Sequence, residues 1–220
     1  MGKNLNIKYS ASMMCADYGH LEDEIKKLED AGIDSFHIDI MDGLYVNNFG
    51  MGIHDLKYIR SVTNKPVECH LMIHEPARYL ELFAKCDVNV IYIHPESGYQ
   101  IGSTIQQIIE LGMTPAIAIN PTTSVESIIE IFNIVKRVLI MAVNPGQAGQ
   151  VFLPYIDKKI KKLLELKDEY GLELYWDGHG SIENIEKYGP FGIDGFILGT
   201  ATLFGKEREF KDILNDLRGK

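Results

Sequence analysis

Eight short runs rich in β-branched and aromatic residues recur along the chain, each separated from the next by a stretch with helical hydrophobic spacing. The runs are Tyr9–Met14, Ser35–Met41, Val67–Ile73, Asn89–His94, Pro115–Asn120, Arg137–Val143, Glu173–Asp177 and Gly195–Gly199. Between them lie amphipathic stretches such as LEDEIKKLEDAG, ARYLELFAKC, STIQQIIELG and DKKIKKLLELKDEYG, three of which stop at a glycine, and EFKDILNDLRGK follows the last run. Repeated βα units of this kind build a parallel sheet. A doubly wound open sheet competes, but eight evenly spaced units, with no Gly-x-Gly-x-x-Gly opening the first helix, favour a closed α/β architecture, the (β/α)8 TIM barrel. No Pro, Gly or Ser-rich linker interrupts the series, so residues 1–220 read as a single catalytic domain.

With 45% hydrophobic residues in 220, the chain can bury a substantial core. Lys+Arg 22 against Asp+Glu 31 gives a net charge of −9, which disfavours nucleic acid or an anionic membrane surface as partner and requires that any anionic small molecule be captured locally. Cys15, Cys69 and Cys86 are widely spaced without a CxxC pair and read as reduced thiols of a cytosolic protein. The start, MGKNLNIKYS, lacks an apolar stretch, and Asn6 stands where a myristoylation pattern wants Ser or Thr, so Gly2 is incidental. No apolar run approaches the roughly 18 residues a membrane span needs. A cytoplasmic protein is expected.

In a barrel the chemistry sits where strands end and βα loops begin. Side chains alternate along a strand, so in SFHIDIMDG the residues His37, Asp39 and Met41 share one face while Ile38 and Ile40 share the other. The polar face must look into the barrel, because a histidine and a carboxylate buried against the helices would need partners to offset their desolvation. VECHLMI repeats the design, with His70 and Met72 on one face and Cys69 and Leu71 on the other. Asp177 ends the seventh run in LELYWDGHGS; it could cap the next helix, although Ser181 is equally suited to that. A closed barrel brings His37, Asp39, His70 and Asp177 to one end. Two imidazoles and two carboxylates without thiolate suit one divalent metal ion, Zn, Mn, Fe(II) or Co. His94 ends the fourth run, where it could reach the pocket; His20, His54 and His74 fall in helix or loop surroundings and should be solvated.

After the sixth run comes NPGQAGQ, where Gly146 and Gly149 let backbone amides approach an anion before a helix opens near Leu153 or Pro154. Gly178, His179 and Gly180 precede a helix beginning near Ile182, and Gly199, Thr200 and Ala201 follow the eighth run. Any one of these loops reads as an ordinary turn; three in succession suggest a phosphate held by the last βα loops, without net positive charge.

At SASMMCAD, HIDIMDG, CHLM, HPE, NPGQAGQ, DGHGS and GTATLF the sequence resembles the ribulose-phosphate 3-epimerase family over nearly its whole length. The resemblance implies a TIM barrel of the ribulose-phosphate-binding type and a metal at His37, Asp39, His70 and Asp177, with Asp39 and Asp177 as paired acid and base. It also implies substrate contacts from Ser12, His70, Met41, Met72 and Met141. Phosphate would lie at Gly146, Gln147, Ala148, Gly149, Gly178, His179, Gly199 and Thr200. This chain departs from the family at Asn47 and Asn48 where Pro-Asn is usual, at Gly178 and His179 where two glycines are usual, and at Gln147 and Ala148 in the Gly-Phe-Gly-Gly loop. The related allulose-6-phosphate 3-epimerases share Met14-Cys15 and a non-glycine at His179, so substrate length is open between five and six carbons.

Epimerisation beside a carbonyl needs a base on one face, an acid on the other and stabilisation of the enediolate between them, and no organic cofactor. Schiff-base and decarboxylation chemistry in related barrels uses a strand lysine, which the eight strand interiors lack. A metal-dependent sugar-phosphate binder without catalysis is the non-enzyme alternative; retention of both aspartates argues against it. The expected partners are a phosphorylated ketose and further copies of the chain in a homo-oligomer, with no nucleic acid and no membrane.

Overall fold

Residues 6–219 are described by a computed structural model, so the expectations drawn from residues 1–5, Gly2 among them, lie outside the described residues. The strands are β1 (Lys8–Ser12), β2 (Ser35–Met41), β3 (Val67–Met72), β4 (Val90–Ile93), β5 (Thr114–Ile119), β6 (Arg137–Met141), β7 (Glu173–Asp177) and β8 (Gly195–Leu198). They close in sequence order into a parallel barrel, β1 pairing with both β2 and β8. The expected (β/α)8 architecture is what forms.

The outer layer consists of α1 (Leu21–Ala31), α2 (Ile53–Val62), α3 (Leu80–Ala84), α4 (Ile101–Glu110), α5 (Asp157–Tyr170), α6 (Ile182–Tyr188) and α7 (Phe210–Arg218). Helices α1 and α5 end at Gly32 and Gly171, both left-handed, as their sequences suggest. Two elements are shorter than helical periodicity implies. Pro76 opens a 3-10 turn before α3, and Gly189 and Pro190 stop α6, since proline cannot continue the hydrogen-bond ladder. Between β5 and β6 the chain forms a 3-10 segment, Glu126–Asn133, in place of an α-helix. At its start Ser124 and Ser127 bond the local backbone, an alternative to the α ladder. Among the described residues no helix is long and apolar enough to cross a membrane.

The strand faces divide as the alternation requires. Ile38, Ile40, Cys69 and Leu71 join Leu28, Leu56 and Ile59 of the helices in the large core between barrel and helical layer. Inside the barrel, Tyr92, Ala116, Ala118, Leu139, Met141 and Tyr175 form a second apolar cluster, and Met41 and Met72 pack with Val46 nearer the mouth. The opposite end is closed by polar residues from strand beginnings. Glu68 accepts from Ser35 Oγ at 3.0 Å and from Tyr92 Oη at 3.1 Å, and Arg137 lies 3.6 Å from it, with its guanidinium over the Tyr175 ring. Because buried charges need partners, this network can sit only where it is fully connected. The mouth at the other end is left for chemistry.

Candidate active site

Strand β2 delivers His37 and Asp39, β3 delivers His70, and β7 ends at Asp177; the register pairs Asp39 with His70 and Met41 with Met72. His70 Nδ1 stands 3.4 Å from Asp39 Oδ1 and 3.5 Å from Asp177 Oδ2, and His37 Nε2 stands 3.6 Å from Asp39 Oδ1. One ligand atom from each of the four residues lies within 4.8 Å of all the others. Both histidines are fully buried. Ser12 Oγ donates to Asp39 Oδ2 at 2.9 Å and fixes the rotation of that carboxylate. Ser181 caps α6, its hydroxyl accepting from Asn184 N at 3.3 Å, so Asp177 is not the cap and its carboxylate faces the mouth.

The electrostatics of this cluster call for positive charge. Burial opposes protonation of His37, but Asp39, Glu68 and Asp177 outweigh it and raise the imidazole to about 10. For His70 burial is likewise outweighed, by Asp177 and Asp39, and the shift is upward. Asp39 runs the opposite way: burial disfavours its charge, yet His37 and His70 hold it well below the usual carboxylate range. His37 Nε2 and His70 Nδ1 are nonetheless buried without a hydrogen-bond partner. Ligands about 2.1 Å from an ion in tetrahedral arrangement lie roughly 3.4 Å apart, close to the separations found here. The cluster therefore fits a divalent cation, which would neutralise both carboxylates with the imidazoles uncharged.

Above it opens a cavity of about 230 Å³. Asp39 and Asp177 reach it from β2 and β7, and Ser12, Met41, Met72 and Met141 line it beside them; His37 and His70 lie behind this lining. All of the loop residues singled out in the sequence border it: Gly146, Gln147, Ala148 and Gly149 after β6, Gly178 and His179 after β7, Gly199 and Thr200 after β8. Among the described residues no lysine or arginine lines the cavity. Cys15 does, with burial pushing its thiol up, which leaves it a poor nucleophile.

The loops interlock. Gly178 has φ +89°, and a Cβ there would clash with Val143 Cγ2; its carbonyl accepts from Trp176 Nε1 at 2.8 Å. His179, also at positive φ, donates from Nδ1 to Gln150 O at 3.0 Å, joining the β7 loop to the β6 loop. Asn48 Nδ2 donates to Gly146 O at 2.7 Å across the mouth.

His94 does not line the cavity. It is fully buried, with Nε2 2.8 Å from His70 Nε2, and desolvation followed by the charge of His70 pushes its imidazole well below the usual range. Glu68, 3.7 Å from His37 Nδ1, is a further neighbour that the sequence reading passed over, although the alternation Glu68, His70, Met72 places it on the inward face. His20, His54 and His74 are exposed, as expected.

A closed parallel barrel with carboxylates and imidazoles gathered at the C-terminal mouth defines a (β/α)8-barrel enzyme. Residues 8–203 match the Ribulose-phosphate 3 epimerase family. The chain belongs to that family. It is 37% identical to the ribulose-phosphate 3-epimerase of Methanocaldococcus jannaschii over 96% of this chain and 90% of the relative, and 36% identical to that of Bacillus subtilis over 97% and 99%. Among solved structures, the tryptophan synthase α-subunit of Pyrococcus furiosus superposes with a TM-score of 0.71 at 13% identity, covering 100% of both chains, a likeness of fold alone.

Proposed function

We propose that the chain is a metal-dependent ketose-phosphate 3-epimerase that interconverts D-ribulose 5-phosphate and D-xylulose 5-phosphate. The observation that carries this reading is the pair of carboxylates, Asp39 and Asp177, reaching one cavity from β2 and β7, three strands apart around the barrel, beside two buried imidazoles whose cluster-facing nitrogens, His37 Nε2 and His70 Nδ1, have no hydrogen-bond partner. One carboxylate takes the C3 proton as base while the other, as acid, returns a proton to the opposite face, and the roles exchange with direction. Ser12 holds Asp39 in orientation for that transfer. His37, Asp39, His70 and Asp177 would hold the ion, Zn, Mn, Fe(II) or Co, which when bound supplies positive charge to the oxygens of the enediolate. Met41, Met72 and Met141 exclude water from the reacting carbons with polarizable surface. The phosphate is held by the backbone of the β6, β7 and β8 loops at the cavity, which no lysine or arginine among the described residues lines.

The chemistry is the same for D-allulose 6-phosphate, and one feature favours that substrate: the His179 side chain and the Gln147 and Ala148 positions border the phosphate end of the cavity, where a one-carbon difference must be accommodated. Side-by-side kinetics with the two ketose phosphates decides between them, with the five-carbon substrate expected to show the higher kcat/KM. A clear preference for the six-carbon substrate overturns the choice of substrate. Absence of solvent-proton exchange into either bound ketose overturns epimerisation and leaves a sugar-phosphate binder.

A further inference from the structure

Of the two imidazoles in the proposed metal cluster, His70 is held from behind by a third. His94, the residue after β4, is fully buried, its ring lies end to end with that of His70, 5.0 Å between centroids and 30° between planes, and Nε2 faces Nε2 at 2.8 Å. Of two imidazole nitrogens at that distance one must donate and the other accept. The cluster side determines which. His70 Nδ1 points at Asp39 Oδ1 and Asp177 Oδ2, so a cation there needs the Nδ1 lone pair, and the ring proton of neutral His70 must then sit on Nε2. His94 Nε2 is consequently the acceptor, and the proton of His94 sits on Nδ1.

That arrangement has a cost that packing alone does not explain. His94 Nδ1 is buried with no hydrogen-bond partner, and an unsatisfied buried donor is destabilising. An apolar side chain of similar size would fill the space beside Tyr45, whose ring lies 4.9 Å from that of His94, without this penalty. What it would lack is an acceptor for His70 Nε2. We infer that His94 is a positioning residue for metal binding: it accepts the Nε2 proton of His70, and so fixes both the tautomer and the ring orientation that aim the Nδ1 lone pair at the space between Asp39 and Asp177. The inference rests on the metal reading given above, and extends it to a residue that touches neither ion nor substrate. Tyr45 braces the back of the pair, its hydroxyl accepting from Asn120 Nδ2 at 2.7 Å, which ties the β2–α2 loop to the same support.

The test compares His94→Leu, which fills the site without an acceptor, with His94→Gln, whose carboxamide oxygen can accept from His70. Dissociation constants for Zn(II) and Co(II) are measured by chelator competition on metal-stripped wild type and both variants, together with the visible absorption of the Co(II) form. His94→Leu should weaken both metals roughly 10–100-fold and alter the Co(II) spectrum, and His94→Gln should recover most of that loss. Equal affinity in wild type and His94→Leu overturns the inference while leaving the metal site standing. Failure of wild type to bind either ion overturns both. Should the leucine variant not fold, nitrogen-15 NMR of histidine in the Zn(II)-loaded wild type reads the tautomers directly: the proton is expected on His70 Nε2 and His94 Nδ1, and a proton on His94 Nε2 refutes the assignment.

Discussion

Gly178 joins the proposed acid and base Asp177 to the phosphate-side loop, and replacing it with alanine should disturb both. Its φ of +89° puts a non-glycine residue in the left-handed region, at a cost of about 1–2 kcal/mol. The added Cβ would clash with Cγ2 of Val143 and lie 3.0 Å from its Cγ1; Val143 is 4% exposed and cannot swing into solvent. Overpacking of this kind costs about 1–3 kcal/mol. The sum is about 2–5 kcal/mol, on the order of 10 °C in melting temperature for a domain of this size. The two contributions separate in a double-mutant cycle. Val143→Ala removes the opposing methyls, so the double variant should recover roughly 1–3 kcal/mol relative to the sum of the single changes, with the backbone cost remaining. Urea unfolding of the four proteins provides the numbers. A Gly178→Ala midpoint equal to wild type, or additivity of the two changes within about 0.5 kcal/mol, refutes the steric argument.

His37→Ala and His70→Ala should each abolish stoichiometric metal while leaving the far-ultraviolet circular dichroism of the barrel intact; metal analysis of the purified variants showing full occupancy removes that residue from the ligand set. Asp39→Asn and Asp177→Asn should each reduce kcat by on the order of 100–10,000-fold with either ketose phosphate, and near wild-type turnover in one of them rules out the two-base scheme. In metal-stripped protein, His37 is raised from 6.5 to about 10, so its protonated form stabilises the fold fully below pH 6.5 and that contribution disappears as pH climbs through 10. Thermal unfolding across this window should show the stripped protein losing stability more steeply than the metal-loaded one, whose imidazole is already unprotonated; parallel curves contradict the assignment.

The barrel was legible because two different periods alternate along the chain, and period survives ignorance of tertiary contacts. Strand boundaries in the sequence fall within about two residues of those observed, and the inward assignment of His37, Asp39 and His70 follows from alternation together with the desolvation cost of burying them against the helices. Asp177 was ambiguous because either it or Ser181 could cap the next helix; only the hydrogen bond from Asn184 resolves it. What the sequence hides is adjacency between strands. His94 and His70 are 24 residues apart, and nothing in IYIHPE indicates that the ring turns back beneath the cavity floor to meet its neighbour. Glu68 lay in plain view two residues before His70, but a carboxylate there could equally have served the polar closure at the far end, and it contacts both. The short helices and the 3-10 segment after β5 were invisible to periodicity because proline, glycine and serine act on the backbone rather than on the hydrophobic pattern.

A mouth that no lysine or arginine among the described residues lines, on a chain of net charge −9, has a kinetic consequence. On the proposed function, a dianionic sugar phosphate approaching this barrel would climb a repulsive long-range field and would meet attraction only at contact, from the amide dipoles and metal ion proposed above. Enzymes that steer anions with cationic rims lose association rate as salt is added; here screening removes a barrier instead, so encounter quickens with ionic strength over the range where the Debye length shrinks from about 30 to 10 Å. Such a site selects its ligand after arrival rather than on the way in.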